Sequence, residues 1–161
     1  MHIAYDANRD LKNWLRIKEN YPKTFTITKY YPFDKKISLN REKFDDIVKT
    51  INTVDIKRFD ELANSITLEW KKIEKKITSQ IFDYLGGLKP INFKANLTTA
   101  YLMPYDEHDN WFMIPTHKSI TEQLRCIAHE LFHLYHCQKN PSVSQKEREL
   151  EVQKFLQLLT I

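Results

Sequence analysis

The chain has 161 residues, of which 42% are hydrophobic, 29% charged and 12% aromatic. This length and composition are typical of one soluble globular domain, and they exclude global disorder and a collagen-like or linker-rich chain. No apolar run approaches the ~20 residues that span a bilayer, and the first residues lack the layout of a signal peptide, so we expect a cytoplasmic protein with no membrane partner.

Positive charge is concentrated in the first part of the chain. The formal net charge is +4, whereas residues 1–43 alone carry ten basic and five acidic side chains. Such a segment can contact nucleic acid or an acidic partner, although a solvated surface explains the same excess. It contains no helix-turn-helix, zinc-finger or RNA-binding sheet pattern.

Hydrophobic spacing predicts three helices in the first half of the chain. Asp10–Lys18 and residues 41–52 repeat apolar side chains at helical intervals, and Thr24–Thr28 predicts a strand between them. The strongest pattern runs from about Asp55 to Leu85, where a glycine pair follows as a C-cap signal. We interpret this long apolar stripe as core packing rather than as a cofactor site.

The period of the pattern changes after residue 90. Alternation in Phe93–Leu97, β-rich residues from Thr98 to Met103 and an apolar run at Trp111–Ile114 predict a hairpin. Two further helices are predicted at about Thr121–Gln138 and Ser144–Leu159. We therefore predict an α+β fold that is predominantly helical, with a small antiparallel sheet packed beside the first of these two helices.

The same change of period divides the chain into two regions. Residues 1–90 form a mostly helical, basic region that includes the long helix. Residues 91–161 hold the hairpin and the last two helices. No repeat or low-complexity linker separates the regions, so we expect one compact unit.

The residues that carry chemistry lie in the penultimate helix. His129, Glu130 and His133 form the H-E-x-x-H pattern, in which two histidines bind Zn²⁺ and the glutamate acts as general base. Histidines four residues apart lie only ~40° apart around a helix, so both imidazoles can reach one metal ion. The opposite side forms an apolar face of Leu124, Ile127, Ala128, Leu131 and Tyr135. The alternative interpretation is a surface helix with solvated histidines.

A third metal ligand has to come from another part of the chain, because catalytic zinc usually takes three protein ligands and a water. In the last helix, Glu151 lies ~40° from the apolar Phe155, and a carboxylate at such a position is costly unless it is paired or bound to metal. Glu149 lies nearer the polar side. We therefore choose Glu151 as the third ligand, with Glu147 as the second choice.

Two other side chains near the motif are possible ligands. His136 shares the histidine face, but it lies ~10 Å along the helix axis from His129. Cys126 also lies toward that face and can offer a thiolate. Cys126 and Cys137 are ~16 Å apart on one helix, so they cannot form a disulfide with each other, and free thiols fit a reducing compartment.

The arrangement resembles the gluzincin metallopeptidases, and more closely their ImmA/IrrE-like branch. The segments that carry the resemblance are Phe112–Pro115, Ala128–His133 and Glu149–Leu159. The resemblance implies Glu151 as the third zinc ligand and residues 91–161 as a minimal metallopeptidase core.

The resemblance also implies where a substrate binds. It places an extended protein or peptide substrate on an edge strand around Thr98–Met103, by β-augmentation. A tyrosine hydroxyl, from Tyr101 or Tyr105, is a candidate to stabilise the oxyanion. The sequence does not choose between these two tyrosines.

Together these patterns predict a zinc-dependent endopeptidase. His129, His133 and Glu151 would hold the Zn²⁺ cofactor, and Glu130 would take the proton of the attacking water. The alternative is a non-catalytic metal-binding regulatory or interaction protein of a mobile-element or stress system. In that case the basic N-terminal half would contact a regulator or nucleic acid.

Overall fold

A computed structural model describes residues 1–20, 25–27, 37–39, 56–87, 89–100 and 103–159. The helices are α1 Ala7–Asn20, α2 Ile56–Leu85, α3 Ile120–Lys139 and α4 Gln145–Leu158. The strands are β1 His2–Tyr5, β2 Phe25–Ile27, β3 Ile37–Leu39, β4 Lys94–Thr98, β5 Tyr105–Asp106 and β6 Trp111–Pro115. The helix predicted at 41–52 lies outside the described residues. Within the described ranges, no helix is both long and apolar enough to cross a membrane.

The predicted α+β class with a dominant helical content is confirmed, but the sheet is mixed rather than antiparallel. Its strand order is β1-β4-β6-β5, and β2 and β3 form a separate pair. β4 runs parallel to both β1 and β6, and only β5 is antiparallel to β6. The predicted hairpin between β4 and β6 is therefore wrong. Residues 99–110 are long enough to return the chain to the starting end of the sheet, as parallel strands require.

In this topology the edge of the sheet is not where the sequence predicts it. β4 lies between β1 and β6, with partners on both sides along its length. The predicted edge strand at Thr98–Met103 is therefore wrong, because β4 ends at Thr98 inside the sheet. The described edge nearest α3 is β5, which lies between the two strands of the predicted hairpin, where the sequence gives no strand signal.

The long helix α2 supplies much of the hydrophobic core, as its pattern predicts. Gly86 and Gly87 end it with φ angles of 75° and 84°, the left-handed conformation that glycine adopts at helix C-termini. The core combines α2 with residues of β1, β4, β6, α3 and α4. The buried α2 residues are Phe59, Ala63, Ile66, Trp70, Ile77, Ile81 and Leu85.

Helix α3 is enclosed by β6, α2 and α4. It begins with a capping box, in which Ser119 and Glu122 each bond the other's backbone N–H. His133 is 0% exposed and His136 is 5% exposed. His133 and His136 are therefore not solvated, contrary to the alternative of a surface helix with solvated histidines, and the buried polar side chains of α3 have to find partners inside the protein.

A buried carboxylate ties α1 to the end of β4. Asp10 is 0% exposed, and it accepts hydrogen bonds from the hydroxyls of Thr98 and Thr99 at 2.6 and 2.7 Å. It also accepts from the backbone N–H of Thr99 at 3.0 Å and from the Tyr5 hydroxyl at 3.1 Å. Burial raises the pKa of Asp10, while these donors pull it back down.

Two further residues of α1 complete this connection. Asn13 donates to the hydroxyl of Thr98 at 3.0 Å, and the indole of Trp14 donates to the hydroxyl of Thr99 at 2.9 Å. The network thus fixes α1 beside the segment that leaves β4.

We expect Asp10→Ala to lower the free energy of unfolding by about 3 kcal/mol, because it leaves several buried donors without an acceptor. Urea unfolding followed by circular dichroism measures this change. Asp60→Ala, which removes an exposed carboxylate of α2, is the control and should change stability by less than about 0.5 kcal/mol. Equal midpoints for the two variants would contradict the importance of the network.

Candidate metal centre

Helices α3 and α4 bring two histidines and one glutamate together. One ligand atom from each of His129, His133 and Glu149 lies within 4.8 Å of the other two. The two Nε2 atoms are 3.0 Å apart. His133 Nε2 is 3.2 Å from Glu149 Oε1, and His129 Nε2 is 3.7 Å from Glu149 Oε2.

These distances fit a shared metal ion. Bonds of ~2.0–2.1 Å in a tetrahedral zinc site place neighbouring ligand atoms about 3.3–3.4 Å apart. The two Nε2 atoms are 3.0 Å apart, and the nearest distances to Glu149, 3.2 Å to Oε1 from His133 and 3.7 Å to Oε2 from His129, lie around that value. Two imidazole nitrogens and one carboxylate oxygen are also a donor set that suits zinc. The three side chains can therefore hold a metal ion.

The protonation states of the histidines are compatible with metal binding. Burial lowers the pKa of His129 to about 4, and the positive charge of Lys118 contributes to this. Burial lowers the pKa of His133 to about 3, with a further contribution from His129. Both rings are thus neutral at pH 7, and a neutral imidazole has a lone pair for a metal.

Glu130 is buried directly beside this cluster. It is 2% exposed, its Oε1 lies 4.0 Å from His129 Nε2, and its Oε2 has no hydrogen-bond partner among the described residues. Burial raises the pKa of Glu130 well above its usual value, and the charge of Glu149 raises it further. A carboxyl group in this position can exchange a proton with a water in the cleft.

A cleft of about 650 Å³ opens onto the cluster. Three walls surround it: α1, the segment around β5, and the facing parts of α3 and α4. The lining residues are Asn13, Arg16, Met103, Pro104, Tyr105, Glu107, His129, Glu130, Gln145, Arg148 and Glu149.

Strand β5 supports one of the histidines directly. The ring of Tyr105 stacks on the imidazole of His133, with centroids 5.0 Å apart and planes within 4° of parallel. This contact holds the His133 ring at a fixed angle. Of the two predicted candidate tyrosines, Tyr105 lines the cleft, and Tyr101 lies outside the described residues.

Arg148 joins α4 to the β5–β6 turn at one end of the cleft. Its guanidinium donates to Cys137 Sγ at 2.6 Å and to the Pro141 carbonyl at 2.9 Å. It also lies 3.9 Å from the carboxylate of Glu107. Cys137 and Cys126 are both free, as predicted from their spacing.

Aromatic packing sets the orientation of α4. Phe155 stacks on Phe132 of α3 at 4.9 Å. Tyr84 at the end of α2 meets both rings edge-on, at 5.6 Å from each. One flank of α4 therefore faces α2, and the other flank faces the histidines.

The predicted third ligand, Glu151, is not part of the cluster. Its carboxylate accepts from the Tyr84 hydroxyl at 3.1 Å and from Lys154 at 2.6 Å. Residues two apart are separated by ~160° around a helix, so Glu149 and Glu151 lie on opposite flanks of the buried stripe. A helical wheel gives the distance of each from the stripe, but not which flank faces α3. In the structure Glu149, rather than the predicted Glu151, therefore lies with the two histidines.

The other candidate ligands also lie outside the cluster. Glu147 belongs to the capping box that begins α4. His136 stacks on Phe132 with ring centroids 5.8 Å apart. Cys126 Sγ accepts a hydrogen bond from Lys118 at 3.4 Å. The signal that could have favoured Glu149 is its position on the half-exposed flank, where a ligand can face an open cleft.

Comparison with known protein families, curated proteins and solved structures finds no match to this chain. Functional inference therefore depends on the cluster, the cleft and the chemistry of their residues.

Glu149→Ala should weaken zinc binding by roughly 100-fold or more, because it removes one of three ligands. Glu151→Ala is the matched control, two residues away on the same helix, and should bind zinc as the unchanged protein does. Competition with a chromophoric chelator measures both affinities. If Glu151→Ala lost zinc binding and Glu149→Ala did not, Glu151 would be the third ligand, as the sequence predicts.

The stacked ring of Tyr105 should matter more than its hydroxyl. Tyr105→Ala removes the ring that orients His133, so we expect zinc affinity to fall about tenfold. Tyr105→Phe keeps the stack and should bind zinc within about twofold of the original affinity. The same chelator assay compares them, and a similar loss in both variants would mean that the hydroxyl is required.

Proposed function

We propose that the protein is a zinc-dependent metallopeptidase of gluzincin type. His129, His133 and Glu149 would hold the ion, and Glu130 would be the general base. The observation that carries this proposal is the buried Oε2 of Glu130, which has no hydrogen-bond partner in the described part of the chain and lies beside the cluster in the lining of an open cleft. Such a group serves no packing purpose, because an unpaired buried carboxylate is destabilising.

The proposed reaction is hydrolysis of a peptide bond. Zinc, when bound, would polarise the scissile carbonyl and lower the pKa of a water toward ~7. Glu130 accepts a proton from the water that attacks the carbonyl carbon. It then donates this proton to the nitrogen of the leaving amine, so the peptide C–N bond breaks and Glu130 returns to its starting state.

The remaining residues orient the reacting groups. Tyr105 keeps the His133 ring at a fixed angle through their stack. The helical spacing of His129, Glu130 and His133 keeps the base next to the ligands. Glu130 is buried and lines the cleft, so water reaches its carboxyl group only from the cleft.

An extended peptide is the substrate that suits this cleft. β5 is an edge strand of the described sheet, and its residue Tyr105 lines the cleft. A peptide backbone can add to its open side by β-augmentation, which would bring a peptide bond near the cluster. In this proposal β5 binds the substrate, the role that the sequence predicts for Thr98–Met103.

A non-catalytic metal site is less consistent with the arrangement. Structural zinc sites are usually closed by four protein ligands, whereas catalytic sites have three and an open position. Three ligands and a cleft are found here among the described residues. The two free thiols, Cys126 and Cys137, support a reducing compartment, and we propose the cytoplasm.

Glu130→Gln tests the catalytic role of the site. The amide keeps the size of the side chain but cannot accept the proton, so we expect kcat to fall by roughly 10³-fold. Zinc content should stay the same, because Glu130 is not a ligand. Cleavage of a mixed peptide library, followed by mass spectrometry, measures activity, and plasma mass spectrometry measures zinc.

A chelator and zinc addition provide the matched control on the unchanged protein. Cleavage should disappear with the chelator and return with zinc. Equal cleavage by Glu130→Gln and the unchanged protein would contradict the proposed base. Zinc binding without cleavage of any peptide would favour the non-catalytic alternative.

A further inference from the structure

A peptide strand bound in the cleft has two hydrogen-bonding edges. Its main-chain N–H and C=O groups point alternately to one side and to the other. If one edge pairs with β5, the groups of the other edge face the rest of the cleft, where a polar group without a partner is costly. A second wall that offers hydrogen bonds would therefore complete the binding of such a peptide.

On β5, Tyr105 supplies the main-chain groups for the first edge. Tyr105 lies opposite Phe112 of β6, and the preceding carbonyl, that of Pro104, accepts from the Met113 N–H at 3.1 Å. Residues of an antiparallel pair alternate between bonding the partner strand and facing away from it. Because Pro104 bonds β6, the N–H and C=O groups of Tyr105 face the open side of β5.

On α4, Gln145 is a free amide beside the metal cluster. It lines the cleft and is exposed, and its side chain has no hydrogen-bond partner in the described part of the chain. Residues four apart lie on one face of a helix with Cβ atoms ~5–6 Å apart, so Gln145 lies one turn from Glu149. Its amide can therefore reach a peptide that is held next to the cluster.

The first turn of α4 holds the backbone of Gln145 in place. The preceding residue, Ser144, forms a capping box with Glu147. Arg148 donates to the Pro141 carbonyl at 2.9 Å, which ties the same turn to the α3–α4 connection. Only the side chain of Gln145 therefore has to be ordered when a peptide binds, which keeps the entropic cost of the contact small.

We propose that Gln145 binds the main chain of the substrate peptide, on the edge opposite the one that pairs with Tyr105. This inference rests on the proposed peptidase function and names what the site recognises. The side-chain amide of glutamine has N–H donors and a C=O acceptor, as a peptide group has, and it carries no charge. A site of this kind selects extended peptides by their main chain and accepts many different side chains.

N-methylation of single peptide nitrogens tests this contact, because each methyl group removes one main-chain N–H. A substrate found in the peptide library is synthesised with one N-methyl group at each position in turn, and kcat/KM is measured with zinc-loaded protein. We expect N-methylation to lower kcat/KM for the unchanged protein at positions on both edges. Gln145→Ala should lose this sensitivity at one position and keep it at the positions that face Tyr105.

The unmethylated peptide gives the magnitude of the contact. Gln145→Ala should lower its kcat/KM by roughly fivefold, as expected for the loss of one uncharged hydrogen bond. The loss should appear in KM rather than kcat, because the contact is the same in the ground state and the transition state. Gln157→Ala, which removes the same side chain at an exposed position farther along α4, is the matched control and should behave as the unchanged protein.

An identical N-methyl profile for Gln145→Ala and the unchanged protein, or an equal change in Gln157→Ala, would overturn the inference while the peptidase function stands. If no peptide is cleaved, the proposed function fails, and binding still decides the inference. Fluorescence anisotropy then compares labelled decapeptides that are N-methylated at every second residue, so that one edge or the other is blocked. Weaker binding of one of these peptides by Gln145→Ala, but not by Gln157→Ala, would support the contact, and equal binding by all three proteins would overturn it.

Discussion

The candidate site depends on the enclosure of α3 by β6, α2 and α4. A polar side chain on the buried side of this helix is costly unless it finds a partner within the protein. Gln123 meets this need by donating to the Pro115 carbonyl at 2.9 Å. The Nε2 atom of His133 finds its neighbours in His129 and Glu149, and the three side chains lie close enough to share a metal ion. The cluster is thus a consequence of where α3 is buried.

The N-terminal part of the chain is connected to this site through Asp10. Its carboxylate and the side chains beside it hold α1 against Thr98 and Thr99. α1 therefore becomes a wall of the cleft, although it is more than 100 residues from His129 in sequence. From Thr98 the chain continues to β5, where Tyr105 supports His133. The same network thus positions the cleft wall and constrains the start of the segment that leads to β5.

The helices, and the closeness of His129 and His133 on one of them, could be predicted from the sequence because both depend on spacing along a short stretch of chain. The periodic stripe of α2 is buried as its pattern indicates. The direction of β4 relative to β6, and the role of β5, could not be predicted, because a long connection allows either direction. Glu149 was missed for a similar reason. The choice between Glu149 and Glu151 depends on Tyr84 and Phe155, which orient α4 through contacts distant in sequence.

The most direct test of the account is a crystal structure of the zinc-loaded protein, with anomalous scattering recorded at the zinc edge. The account predicts one strong peak at ~2.0–2.1 Å from the Nε2 atoms of His129 and His133 and from a Glu149 carboxylate oxygen. Glu130 should lie beside this peak without binding the ion. A peak that is shared by Glu151 instead of Glu149, or one that is distant from both histidines, would contradict the account.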